Sequence, residues 1–149
     1  MAELPVDVRE LLKKPSDDME RPRPLADGHY IGEVLGQPEF DLTRGEKQTH
    51  LVRFNYKILE ACDDVAADAN AGIDLTRREV RQEFFITPAA LYRLGDAVDG
   101  ILGKAPGVGV DERLPDVQGA RVQLRLRERV DRRTGEKTGY NEVVTVVAA

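Results

Sequence analysis

Between residues 49 and 60 the sequence alternates without a break, with Val52, Phe54, Tyr56 and Ile58 on one parity and Arg53, Asn55 and Lys57 on the other. A period of two puts these sets on opposite faces of a β-strand, one needing an apolar partner and the other water. The pattern returns at 77–86, where Val80, Phe84 and Ile86 are in phase against Arg81, Glu83 and Phe85. It returns again at 120–131, where Val122, Leu124 and Leu126 oppose Arg121, Gln123, Arg125, Arg127 and Arg129. Residues 29–38 read as an earlier strand whose Gly32 and Gly36 suit a bulge or a tight bend. Residues 140–148 read as a fifth, β-branched throughout from Val143 to Val147, Thr145 included, and expected to be covered on both faces.

One helix interrupts this order. Thr87 suits an N-cap, Pro88 a first helical residue, and Ile86 can staple onto Leu91. Leu91, Leu94, Val98, Ile101 and Leu102 then make one apolar stripe, and Gly103 supplies the stop. The order strand, strand, strand, helix, strand, strand predicts a mainly β domain over 28–149, a five-stranded OB-fold barrel with the helix plugging its open end. Residues 1–27 read as an N-terminal arm or linker. Pro5 starts a short helix through Val8, Leu11 and Leu12, Pro15 ends it, and Arg-Pro-Arg-Pro at 21–24 favours extended chain.

Composition narrows the class. The 149 residues fit one domain, and 41% hydrophobic with 33% charged is ordinary for a globular chain. No apolar run approaches the roughly 20 residues that cross a bilayer, and no secretion signal is visible at the N-terminus. The single cysteine, Cys62, forms no internal disulfide, which points to the cytoplasm. A net charge of −5 repels phosphates in bulk, yet the charges are segregated. Residues 60–76 carry five acidic side chains and no basic one, whereas 118–149 carry seven basic against four acidic.

Catalytic chemistry is thin. His29 and His50 lie near opposite ends of neighbouring strands, and one cysteine leaves no zinc set. Gly103-Lys104 mimics the end of a phosphate loop, but Val98 replaces the first glycine and Ala105 the Ser or Thr. Asp68, Asn70, Gly72 and Glu79 partly match a calcium loop, but Ile73 occupies the turn position that needs glycine. The expectation is a non-enzymatic chain with no cofactor and no metal.

The candidate binding residues are basic. Arg44 and Lys47 lie in the connection between the first two strands, and Arg132, Arg133 and Lys137 in that between the last two; these are the loops with which an OB-fold closes over oligonucleotides. Arg53 and Lys57 on the second strand and Arg81 on the third lie where that fold presents its binding surface, with Phe85 in phase as a stacking side chain. Arg125 and Arg127 belong to a denser row on the fourth strand, which also solubilises an edge. Of the remaining aromatics, Phe40 and Tyr140 flank the basic loops, and most of the others are expected in the core.

Four segments in order, Pro24-Leu-Ala-Asp-Gly-His-Tyr30, Phe84-Phe-Ile-Thr-Pro-Ala-Ala-Leu-Tyr-Arg-Leu94, Leu114-Pro-Asp-Val-Gln-Gly-Ala-Arg-Val122 and Gly139-Tyr-Asn-Glu-Val143, resemble a family of phage- and prophage-encoded OB-fold single-stranded-DNA-binding proteins of recombination modules. The resemblance spans roughly residues 24–147. It implies sequence-tolerant binding of single-stranded DNA in replication or recombination, in the host cytoplasm, beside a recombinase or annealing protein; self-association is compatible with it. The rival expectation is an OB-like structural or interaction protein, such as a viral assembly component, that binds protein instead of DNA.

Overall fold

The computed structural model describes residues 4–16 and 22–149; the charged arm tract at 17–21 lies outside the described residues. Five strands form: β1 (Gly28–Leu42), β2 (His50–Ala61), β3 (Glu79–Phe85), β4 (Arg121–Val130) and β5 (Lys137–Ala148). They make one sheet in the order β3-β2-β1-β4-β5, every neighbouring pair antiparallel. The edges β3 and β5 come within 8 Å Cα to Cα but share no ladder. The sheet is therefore curled, and it is not closed into a barrel.

β1 runs four residues beyond the expected end at 38, through Pro38. In the β1–β2 ladder Leu35 pairs with Asn55 and Glu39 with Arg53, so three residues of β1 stand against Phe54 alone. Gly36 takes φ +62° there, which a side chain resists, and Pro38 sits in the bulge where no ladder donor is needed. Two extra residues preserve the parity of the strand, so its faces do not exchange.

The alternating apolar set forms the core as expected: Val52, Phe54, Tyr56, Ile58, Val122, Leu124 and Leu126 are buried, with Tyr30 and Val34 from β1. Phe54 meets Phe84 edge-on at 5.1 Å. Leu25 also lies in this core, held by Asn141 of β5, whose amide accepts from the Leu25 N–H at 2.9 Å and donates to its carbonyl at 3.0 Å. The core thus draws on the last residues of the arm. Farther out, α1 (Val6–Leu12) forms between Pro5 and Pro15 and buries none of its residues.

The helix α2 (Leu91–Leu102) packs against β3 and β5, across the gap between the sheet edges. It starts three residues later than the Pro88 expectation. Thr87 caps the preceding turn instead, its carbonyl accepting from Leu91 N–H at 2.9 Å and its hydroxyl from Ala90 N–H at 3.2 Å. Gly100 lies so close to β5 that a Cβ would stand 2.5 Å from the Val146 carbonyl oxygen. A short α3 (Val110–Arg113) follows, and buried Arg113 donates to Asp99 at 2.5 Å and to the Gly103 carbonyl, tying down the end of α2.

β5 departs from its expected two-sided burial. Val146 is buried and Val143 packs against the core, but Thr145 and Val147 face solvent. α2 covers the inner face only, and among the described residues no element packs on the outer one.

Candidate nucleic-acid interface

The outer face of β2 and β3 carries Arg53, Lys57 and Arg81, as the alternation requires. The register fixes their neighbours. Arg53 lies between Glu39 and Glu83, Lys57 between Glu33 and Glu79, and Arg81 opposite Asn55. Arg53 donates to Glu83 at 3.0 Å and to Asp41 at 3.4 Å, and its side chain is only 18% exposed. Hydrogen bonding to Glu83 holds the guanidinium above its ordinary pKa, while the Leu42 N–H and then Arg53 hold the Asp41 carboxyl below its own. Asn55 donates to Glu39 at 2.5 Å. Three cations thus share this face with five carboxylates, which leaves it net negative and unattractive to phosphate. Phe85 is half-exposed on this face, opposite Leu51.

The outer face of β4 differs. Arg121, Arg125, Arg127 and Arg129 are all exposed on one parity, the last three about 7 Å apart along the strand and Arg121 about 13 Å before Arg125. Arg127 pairs with Glu142 of β5; among the described residues the other three have no carboxylate within 4.0 Å. The β1 and β5 residues opposite Arg125 are His29 and Thr145, whereas Arg121 stands opposite Glu33, the carboxylate that also flanks Lys57. Beyond the sheet the β4–β5 hairpin continues to a tip closed by Asp131, whose N–H donates to the Glu136 carbonyl at 2.8 Å and whose carboxylate accepts from Arg133 N–H at 2.8 Å. That use of Asp131 pins the turn and leaves the side chains of Arg132, Arg133 and Lys137 exposed. Tyr140, 64% exposed, stands on the hairpin beside them.

Arg44 and Lys47 occupy the exposed β1–β2 connection, closed by Thr43 and Thr49, with Phe40 67% exposed on the adjoining strand. β1 is antiparallel to β4, so this hairpin and the β4–β5 hairpin leave opposite ends of β1. No contact between their tips is present among the described residues. Of the sequence-derived candidates, the structure gathers Arg125, Arg127, Arg132, Arg133 and Lys137 on one hairpin and adds Arg121, Arg129 and Tyr140. Arg44 and Lys47 stand apart, and Arg53, Lys57 and Arg81 lie among carboxylates.

The acidic segment after β2 folds back over the start of β1. Asp64 accepts from His29 at both its N–H and its ring Nδ1, the latter at 2.7 Å, and the His29 hydrogen bond holds the Asp64 carboxyl below its ordinary pKa. Asn70 accepts from Ala26 N–H at 2.8 Å and donates to the Tyr30 hydroxyl at 2.8 Å, so its side chain faces the protein and is not offered to a cation. Among the described residues no group of three His, Cys, Asp or Glu side chains could hold a metal. No family model matches the chain, and no curated protein matches it.

Proposed function

We propose that the chain is a non-enzymatic, sequence-tolerant single-stranded-DNA-binding protein of the phage recombination type, built as an OB-like curled sheet in the cytoplasm and engaging DNA along the outer face of β4 and the β4–β5 hairpin. The observation that carries this reading is the β4 row: Arg121, Arg125 and Arg129 are exposed with no carboxylate within 4.0 Å among the described residues, Arg125 has no acid opposite it on either neighbouring strand, and Arg132, Arg133 and Lys137 continue the row at the tip. Seven basic side chains against four acidic make this hairpin net +3 in a chain whose total is −5. Such a stripe attracts a polyanion irrespective of sequence, and Tyr140 offers a ring on which one base can stack, worth about 1–3 kcal/mol. The strand order, the approach of β3 to β5 and the helix across that gap support the OB reading.

The test is fluorescence anisotropy of a labelled oligo-dT at low salt, with duplex DNA and RNA oligomers alongside. Saturable binding that weakens steeply with salt is expected, and a flat titration refutes the proposal. A second reading, a protein-binding module that pairs with a recombinase or a viral assembly component, is favoured by one observation. Phe40, Leu42, Ile86 and Leu91 are large apolar residues left exposed around one end of the sheet.

A further inference from the structure

β1, β3 and β5 run in one direction and β2 and β4 in the other, so the starts of β3 and β5 and the tip of the β4–β5 hairpin share one end of the sheet. At that end the last residues of the arm cross the gap between β3 and β5. Leu25 is held by Asn141 of β5, and two residues earlier the Arg23 carbonyl accepts from the guanidinium of Arg78, the residue before β3, at 2.5 Å. The Arg23 guanidinium in turn donates to the Ala71 carbonyl in the segment after β2. Between the arm and the 3-10 turn Leu75–Arg77 lies an open cleft of about 500 Å³, lined by Arg23, Arg77 and Arg78 and by a single carboxylate, Asp74.

We propose that this cleft is a phosphate-binding site, separate from the β4 row. The reason is how each charge is held. Arg23 and Arg78 are each anchored by a bond to a backbone carbonyl, which fixes a guanidinium in place without neutralising it. Each guanidinium has five N–H donors, and among the described residues neither has a carboxylate within 4.0 Å. Asp74 is already committed. It caps the 3-10 turn, accepting from the Thr76 hydroxyl at 2.7 Å and the Thr76 N–H at 3.2 Å, and it lies 3.5 Å from Arg77 Nε. Three cations against one acid leave the cleft net +2, whereas Arg53 on the β2–β3 face bonds two carboxylates. Guanidinium forks match phosphate oxygens with paired N–H bonds, and a cleft of this size also admits the sugar that carries the phosphate. The ligand chemistry is a phosphate group, supplied either by a strand that runs past the hairpin tip or by a free phosphate.

The test titrates the full chain with sodium pyrophosphate in a calorimeter at constant ionic strength, and saturable binding is expected. Arg23→Gln with Arg77→Gln, both exposed, is expected to weaken it about tenfold with unchanged far-UV circular dichroism, and Arg77→Gln alone about threefold. Arg121→Gln with Arg125→Gln removes as much charge from the β4 face and is expected to leave pyrophosphate affinity unchanged. Labelled oligo-dT of increasing length then separates the two sources. If the phosphate belongs to a strand, lengthening tightens binding in the parent and not in the R23Q/R77Q variant; if it is free, the two bind alike at every length. Pyrophosphate binding that survives R23Q/R77Q, or an equal loss in the β4 variant, overturns the proposal. So does an absence of pyrophosphate binding together with oligo-dT titrations that are alike in parent and R23Q/R77Q. A flat oligo-dT titration beside pyrophosphate binding that R23Q/R77Q abolishes refutes the DNA reading and upholds this site.

Discussion

Replacing Arg121, Arg125 and Arg129 together by glutamine removes three cations from the β4 face while keeping the size and polarity of exposed side chains, so the sheet has no reason to unfold. Seven cations lie on β4 and the hairpin, and Arg127 is committed to Glu142, which leaves six. Six phosphate contacts to a single strand give a slope of log K on log salt of about −4, so affinity falls about 300-fold between 50 and 200 mM salt. With three contacts left, the slope drops to about −2 and the same change of salt costs only about 20-fold. Anisotropy of labelled oligo-dT at four salt concentrations measures both slopes. Lys57→Gln with Arg81→Gln serves as the control, since those side chains lie among carboxylates and their loss leaves the slope near −4. An unchanged slope in the triple variant, or an equal drop in the control, refutes the β4 assignment.

Arg113→Ala strips the tie between Asp99 and the Gly103 carbonyl; because Asp99 is 40% exposed, the loss in urea unfolding is expected at about 1–3 kcal/mol, below that of a fully buried pair, and a change under 0.5 kcal/mol refutes it. Gly100→Ala tests the close approach of α2 to β5: in an exposed helix the change stabilises by about 0.5–1 kcal/mol, but here the Cβ meets backbone at 2.5 Å, and a lowered melting temperature is expected. Asp64→Asn removes a carboxylate whose pKa is lowered in the fold by its bond to His29. The parent is expected to be the more stable at neutral pH, and its advantage is expected to vanish as pH falls from the ordinary carboxylate value of 3.8 through the lower folded one; a gap that persists in strong acid refutes the pairing.

Much of the fold was legible because burial imposes a period. Each alternating run lies in a strand, and Leu94, Val98 and Ile101 lie on the buried side of α2. What escaped was set by tertiary partners. The extension of β1 past Pro38 depends on a bulge that removes the proline from the ladder. The outward half of β5 reads as apolar, but among the described residues no layer covers it, and Arg113 carries no sequence signal because its partners come from the end of α2. The aromatics divide evenly: Tyr30, Phe54, Tyr56 and Phe84 are buried, whereas Phe40, Phe85, Tyr92 and Tyr140 are exposed. Phe40 has core parity and is exposed only because the strand outruns what covers it.

The binding face shows the same divide between pattern and partner. Alternation places Arg53, Lys57 and Arg81 outward and equally places the β4 arginines outward, so parity alone cannot rank the two faces. Register ranks them. Were β1 to run without its bulge, Arg53 would pair with Gln37; the two extra residues bring Glu39 there instead, and Asp41 within 3.4 Å. Opposite Arg125, in contrast, β1 and β5 present His29 and Thr145, and no acid. An arginine serves as a phosphate site only where its neighbours leave its charge uncompensated, and on this sheet that condition is decided by cross-strand register, two bulged residues included.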